Sequence, residues 1–192
     1  MAVDLLKLPS SILLKSTRRL TLVADISNEI DKIENKRIYE YKVYMLTGFY
    51  IVNLISIWQV FIENLVNYGC KLIERNSNSR AEKLLYRISC ENAKTAIKKF
   101  NTPNKQSINL IFYHCFSIEE ITKCWKENDG SFMKEYNSLT LTLQERHRFS
   151  HTGRHNGNIS LDKTQEISRH LFYLSVLIEK KFKEELDDYG IK

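Results

Sequence analysis

The sequence predicts an all-α bundle wrapped around one long central helix. Only two prolines and six glycines interrupt 192 residues, so few positions break a helix. Apolar side chains recur at steps of three and four along most of the chain, the spacing of a helix face. Nothing alternates convincingly at period two, the pattern a half-buried strand would leave. A 43% hydrophobic share over this length suits a single domain spanning residues 1–192 whose core needs no disulfide or metal staple. No internal repeat, low-complexity tract or domain boundary divides it.

Taken in order, Ser10 or Ser11 is placed to cap a first helix running to about Asn35. Its apolar positions are Ile12, Leu20, Val23, Ile26, Ile30 and Ile33. The longest periodic run follows, from about Lys36 to Arg75. Val43, Leu46, Tyr50, Leu54, Ile57, Phe61 and Leu65 form one stripe; Ile51, Ile55, Trp58, Ile62 and Val66 form a second beside it. A helix apolar on two faces is enclosed by others, which makes this the central one. Glu63 falls among these residues. An ionised carboxylate there either lies at a helix edge in water or meets a cation such as Arg146.

The polar break 76–79 leads to a helix from about Arg80 to Phe100, with Ala81, Leu84, Leu85, Ile88, Ala93 and Ile97 facing inward. Pro103 stops it by pushing Thr102 away from helical angles. Short helices are expected at Ser107–Cys115 and Ile118–Glu127, with Trp125 and His114 packed into the core. After the turn signal Asn128-Asp129-Gly130-Ser131, a helix from Phe132 presents Phe132, Tyr136, Leu139 and Leu143 inward and leads into a charged segment. A last helix, about Leu161 to Leu186, carries Ile167, Leu171, Leu174, Ile178 and Phe182 as its stripe; His170 sits one position off it and is expected to pack.

A net charge of +6 and a pI near 9 lean toward a polyanionic partner. The amino terminus carries Asp4 and Lys7 and lacks a signal-peptide apolar core. The most apolar run, Phe49 to Ile62, is shorter than the roughly 18–20 residues that span a bilayer. A cytoplasmic protein with no membrane partner is therefore expected. Cys70, Cys90, Cys115 and Cys124 show no CxxC spacing and read as buried free thiols of a reducing compartment.

Chemistry concentrates in Glu145-Arg146-His147-Arg148-Phe149-Ser150-His151-Thr152-Gly153-Arg154-His155, which holds three of the five histidines. Three readings apply. In the first, the segment cleaves RNA without a metal or other cofactor. RNA supplies its own nucleophile, so the enzyme needs imidazole for proton transfer and guanidinium for the phosphorane charge. Arg146 and His151 are five apart, about 140° around an ideal helix. To act together they need a helix that ends or distorts between them, or two chains sharing one cleft. The second reading is a metal site, since His147, His151 and His155 are spaced by four. Gly153 interrupts the helix before His155, Arg148 and Arg154 repel a cation, and no acidic residue lies among the histidines. The third is structural: a basic helix end favoured by the helix dipole.

Arg146-His147-Arg148-Phe149-Ser150-His151 resembles the motif of the HEPN superfamily, an arginine, a polar residue, three further residues and a histidine. The order of features around it is similar to the RiboL-PSP type of HEPN domain. Ile57-Trp58-Gln59-Val60-Phe61-Ile62-Glu63 resembles that group's central-helix Trp followed by an acidic residue. Thr102-Pro103-Asn104 and then Ile118 to Trp125 resemble its middle segment. The resemblance covers roughly Val43 to Glu179, within a HEPN core at about 43–186.

The resemblance implies a helical bundle, commonly a homodimer, acting as a metal-independent endoribonuclease that leaves a 2′,3′-cyclic phosphate. Such proteins serve as toxins or anti-phage defence effectors, so an antitoxin or defence partner protein is also implied. Carried over, Arg146 stabilises the phosphate, His151 is the acid or base, His147 is the polar helper and Glu63 orients Arg146. Arg148, Arg154 and His155 are expected to bind RNA. The chain departs from the pattern in two places: Thr152 stands between the histidine and its glycine, and Arg148 adds charge inside the motif. The alternative is a non-catalytic helical dimer that binds RNA or a partner protein. Lys94, Lys98 and Lys99 either extend an RNA track or form a solvated helix face.

Overall fold

The computed structural model describes residues 8–30, 35–125, 132–156 and 159–191, with backbone alone at 21–30 and 132–138. These residues form six α-helices and one 3-10 turn, with no strand among them. They are α1 (Pro9–Ile30), α2 (Lys36–Asn76), α3 (Arg80–Lys99), α4 (Lys105–Phe116), the 3-10 turn (Ile121–Trp125), α5 (Phe132–Thr152) and α6 (Leu161–Asp188). The all-α expectation therefore holds.

The 41-residue α2 is the axis, packing against α1, α3, α4, α5 and α6. The second predicted stripe, Ile51, Ile55, Trp58, Ile62 and Val66, is buried; on the first, Tyr50, Leu54, Phe61 and Leu65 are buried while Val43, Leu46 and Ile57 are half-buried. By length and composition this helix could also cross a membrane, which the shorter apolar run did not suggest. Half of its apolar window is buried inside the bundle, which fits a core helix. Leu139 and Leu143 of α5 and the whole predicted stripe of α6 join the same core.

Local chemistry sets the helix ends. Asn35 caps α2 by accepting from Arg37 N and Ile38 N. Ser79 and Glu82 form a reciprocal capping box on α3, and Asn104 with Ser107 does the same on α4. Pro9 opens α1 in the position where a missing N–H costs nothing. Instead of a serine hydroxyl, the carboxylate of Glu179 receives Ser10 N (2.9 Å), tying α1 to α6. That carboxylate is buried and also accepts from Lys183 Nζ (3.1 Å).

Several expectations are corrected. Leu13, Thr17 and Leu20, not Ile12, face inward on α1; Val23, Ile26 and Ile30 have undescribed side chains, and Ile33 lies outside the described residues, as do Phe132 and Tyr136 for side chains. On α3, Ala93 and Ile97 face inward as expected, but the stripe is completed by Tyr86 and Cys90, while Ala81, Leu84, Leu85 and Ile88 are exposed. Leu84, Leu85 and Ile88 lie on the side of the helix away from that stripe. The helix expected at Ile118–Glu127 is a 3-10 turn, because Ser117 and Glu120 take left-handed angles (φ 58° and 46°). Asn109 Oδ1 holds that turn by accepting from Thr122 N and Oγ1. Trp125 is buried as expected, but His114 is exposed, edge-on to Tyr113.

Cys70, Cys115 and Cys124 are buried free thiols and Cys90 is half-buried. Burial, with the neighbouring Cys90 adding to it, pushes the Cys115 thiol up to about 12 and raises Cys70 as well. A thiol at that value is ionised to only about one part in ten thousand at pH 8, and only the thiolate reacts. Iodoacetamide at pH 8 should therefore spare Cys115 and Cys70 in the native protein and modify both in denaturant. Mass spectrometry showing native Cys115 alkylated at the rate of a free thiol would contradict this packing.

Candidate active site at the carboxyl end of α5

α5 stays helical through Thr152 and is ended by Gly153, whose φ of +64° suits a residue without a side chain. Gly153 N donates to Phe149 O (2.8 Å), closing the last turn. Thr152 Oγ1 donates to Arg148 O (2.9 Å) and accepts from Arg154 N (3.1 Å). Beyond the glycine, Asn156 N donates to Glu145 Oε2 (2.9 Å), and Asn156 Oδ1 accepts from Arg148 Nη1. The buried Glu145 carboxylate thus folds the following loop back along its own helix.

Two contacts fasten this end to α2. The Phe149 ring lies so close to Gly48 that a Cβ there would stand 2.1 Å from its Cε2. One turn earlier on α2, Tyr44 stacks on His155 with ring centroids 3.9 Å apart and planes 13° off parallel. The Tyr44 hydroxyl accepts from His155 N (2.5 Å) and donates to His155 O (2.9 Å), while His155 Nε2 meets Tyr44 O at 2.9 Å. Sequence reasoning missed Tyr44, Gly48 and Glu145. A glycine inside a long apolar helix was the one available signal of close approach.

These anchors fix where each predicted residue lies. His147 and His151, one turn apart on an unbroken helix, are both exposed with ring centroids 4.4 Å apart. Arg146 is half-buried. Its Nε is buried without a hydrogen-bond partner among the described residues, and it lines a cavity of about 470 Å³ with His147, Arg148, Gln144, Thr102 and Asn104. Around the helix the order is Arg146, then His147 about 100° on, then His151 at about 140°. The helix neither ends nor distorts between Arg146 and His151, so one chain does not bring those two together.

Three expected roles change. His155 is buried on Tyr44 and is an anchor, not an RNA-facing group. With it turned away, the three evenly spaced imidazoles do not converge on one point. Glu63 does not pair with Arg146 within the protomer: no ion pair or hydrogen bond joins them among the described residues. Its partner is instead Gln59, whose Nε2 donates to Glu63 Oε1 (2.9 Å). Arg148 and Arg154 are exposed, and together with Thr152 they edge a shallow basic concavity.

The arrangement offers an unpaired guanidinium at a cavity and two adjacent, exposed imidazoles. That set can bind a phosphate and exchange protons beside it. In comparison with known proteins, the chain matches no family model, no curated protein and no solved structure.

The Tyr44–His155 clasp generates a stability prediction. Tyr44→Phe keeps the stack but removes the partner of a buried backbone N–H, which should cost about 1–3 kcal/mol in urea unfolding. Gly48→Ala should destabilise by about 1–3 kcal/mol through overpacking against Phe149. Wild-type stability in both variants would show that the end of α5 is not held this way.

Proposed function

We propose that the chain is a metal-independent endoribonuclease of the HEPN type, working as a dimer that joins two copies of the α5 end. The observation that carries this is Arg146, with its buried and unpartnered Nε, lining one cavity with His147, whose ring touches that of His151. A buried donor without an acceptor is uncommon in folded proteins. An RNA phosphate would supply one.

In this reading an imidazole removes the proton from the 2′-hydroxyl. O2′ then attacks phosphorus, the P–O5′ bond breaks, and a second imidazole protonates the departing O5′. The products are a 2′,3′-cyclic phosphate and a 5′-hydroxyl, and no water is consumed. Arg146 stabilises the equatorial phosphorane oxygens. His151 is one proton carrier, and His147, one turn away, holds its ring in orientation. The 140° between Arg146 and His151 makes the second copy necessary: His151 of one chain is set opposite Arg146 of the other. A toxin or defence role, with a controlling partner protein, follows from the same family reading.

The test is RNA cleavage in excess chelator. Wild-type protein should release cyclic-phosphate ends, and His151→Ala and Arg146→Ala should each lose on the order of 100-fold or more in rate. Because His151 is exposed, its variant should fold normally by circular dichroism. Cleavage by His151→Ala at the wild-type rate would remove the assignment. Salt-sensitive RNA binding without any turnover would favour the non-catalytic dimer instead.

A further inference from the structure

A second cavity, of about 520 Å³, opens between the last two turns of α3 and the exposed side of α4. Its volume falls in the range of about 300–1,000 Å³ typical of small-molecule sites. The Arg146 cavity and this one share two lining residues, Thr102 and Asn104, so they adjoin across a single strip of loop. That strip is braced from the core side. Trp58 Nε1 donates to Pro103 O (3.1 Å), Gln59 Nε2 donates to Phe100 O (2.9 Å), and Ser107 Oγ donates to Thr102 O. The wall between the cavities is thereby held in one place.

The chemistry of the lining is divided. The floor is apolar, with Phe100 and Ile111 buried beneath it. The rim is polar, with the exposed carboxamides of Asn92 and Asn101, the exposed imidazole of His114 and the ammonium of Lys99. A carboxamide offers both a donor and an acceptor, the pairing that matches a nucleobase edge. An exposed ring beside an apolar floor suits a base drawn out of its stack, and a lysine at the rim suits the backbone phosphate that accompanies it.

We infer that this α3–α4 cavity is the subsite for an unpaired RNA base flanking the bond that is cut. The inference rests on the ribonuclease reading of the neighbouring Arg146 cavity and adds the substrate form: single-stranded RNA, with one base splayed into the cavity while its phosphate lies against Arg146. Asn101 and His114 read the base, and Lys99 holds the backbone.

The experiment is fluorescence anisotropy of the wild-type full chain with short 2′-O-methyl homopolymers of A, C, G and U, which lack the nucleophile and so report binding alone. The wild type should favour one base over the others. The double variant Asn101→Ala/His114→Ala should bind that homopolymer on the order of 10-fold more weakly and lose the preference. Lys99→Ala should weaken all four alike. All three positions are exposed, and circular dichroism checks their folding. A double variant with unchanged affinity and preference, or a wild type with equal affinity for all four, overturns the subsite. Cleavage of unmodified RNA is scored in parallel. Cleavage with an unaltered double variant sinks the subsite and leaves the ribonuclease reading standing. A base preference lost in the double variant, without cleavage, sinks the ribonuclease reading and leaves a base-binding cavity that flanks no cut bond. A wild type that binds none of the four ends the subsite.

Discussion

The ring of Phe149 occupies the space a side chain at position 48 would need, and the placement of the candidate site on α5 depends on that contact. Gly48 lets α5 approach α2 more closely than any other residue would allow, and the Tyr44–His155 stack then secures the chain just past the end of the helix. These two contacts set how α5 is turned on α2. His147 and His151 project from the side of the helix away from Phe149, while Arg146, about 60° around from Phe149, lies at the edge of the packed side. Phe149, in the middle of the motif, is structural. The residues on either side of it are the ones available for chemistry.

That anchoring also divides the histidines by role. A regular spacing of four makes His147, His151 and His155 look equivalent, but Gly153 turns the chain before the third is reached. His155 then satisfies both its backbone and its ring nitrogen on Tyr44, while the other two remain in solvent as a pair. Glu145 is divided from the charged cluster in the same way: its carboxylate is buried and serves the backbone of Asn156. The segment contains structural and reactive groups in alternation, and the tertiary contacts sort them.

The loop at residues 100–104 connects this site to the core. Trp58 and Gln59, on the central helix, donate to its carbonyl oxygens, so a polar contact from deep in the bundle sets one wall of the Arg146 cavity. Gln59 also binds Glu63, which places that carboxylate in the service of the same loop. The acidic residue near the tryptophan thus supports the site at one remove.

By itself the sequence determined the helical class, the central helix with both its stripes, and most element boundaries to within a few residues. These follow from periodicity and from end signals such as Pro103 and Gly153, which act locally. It also singled out the candidate residues, because Arg146, His147 and His151 lie in one short segment, while the structure decided that the helix between them is unbroken. Only tertiary structure decided which apolar face of α3 turns inward, leaving Leu84, Leu85 and Ile88 outside, since they lie on the side of the helix opposite Tyr86, Cys90, Ala93 and Ile97 and both sides carry apolar residues. It likewise decided that His155 is buried, that Glu63 pairs with Gln59, and that two cavities meet at Thr102 and Asn104. Those facts depend on which residues distant in the chain come into contact, and a helix repeat read along one segment carries no information about its neighbours.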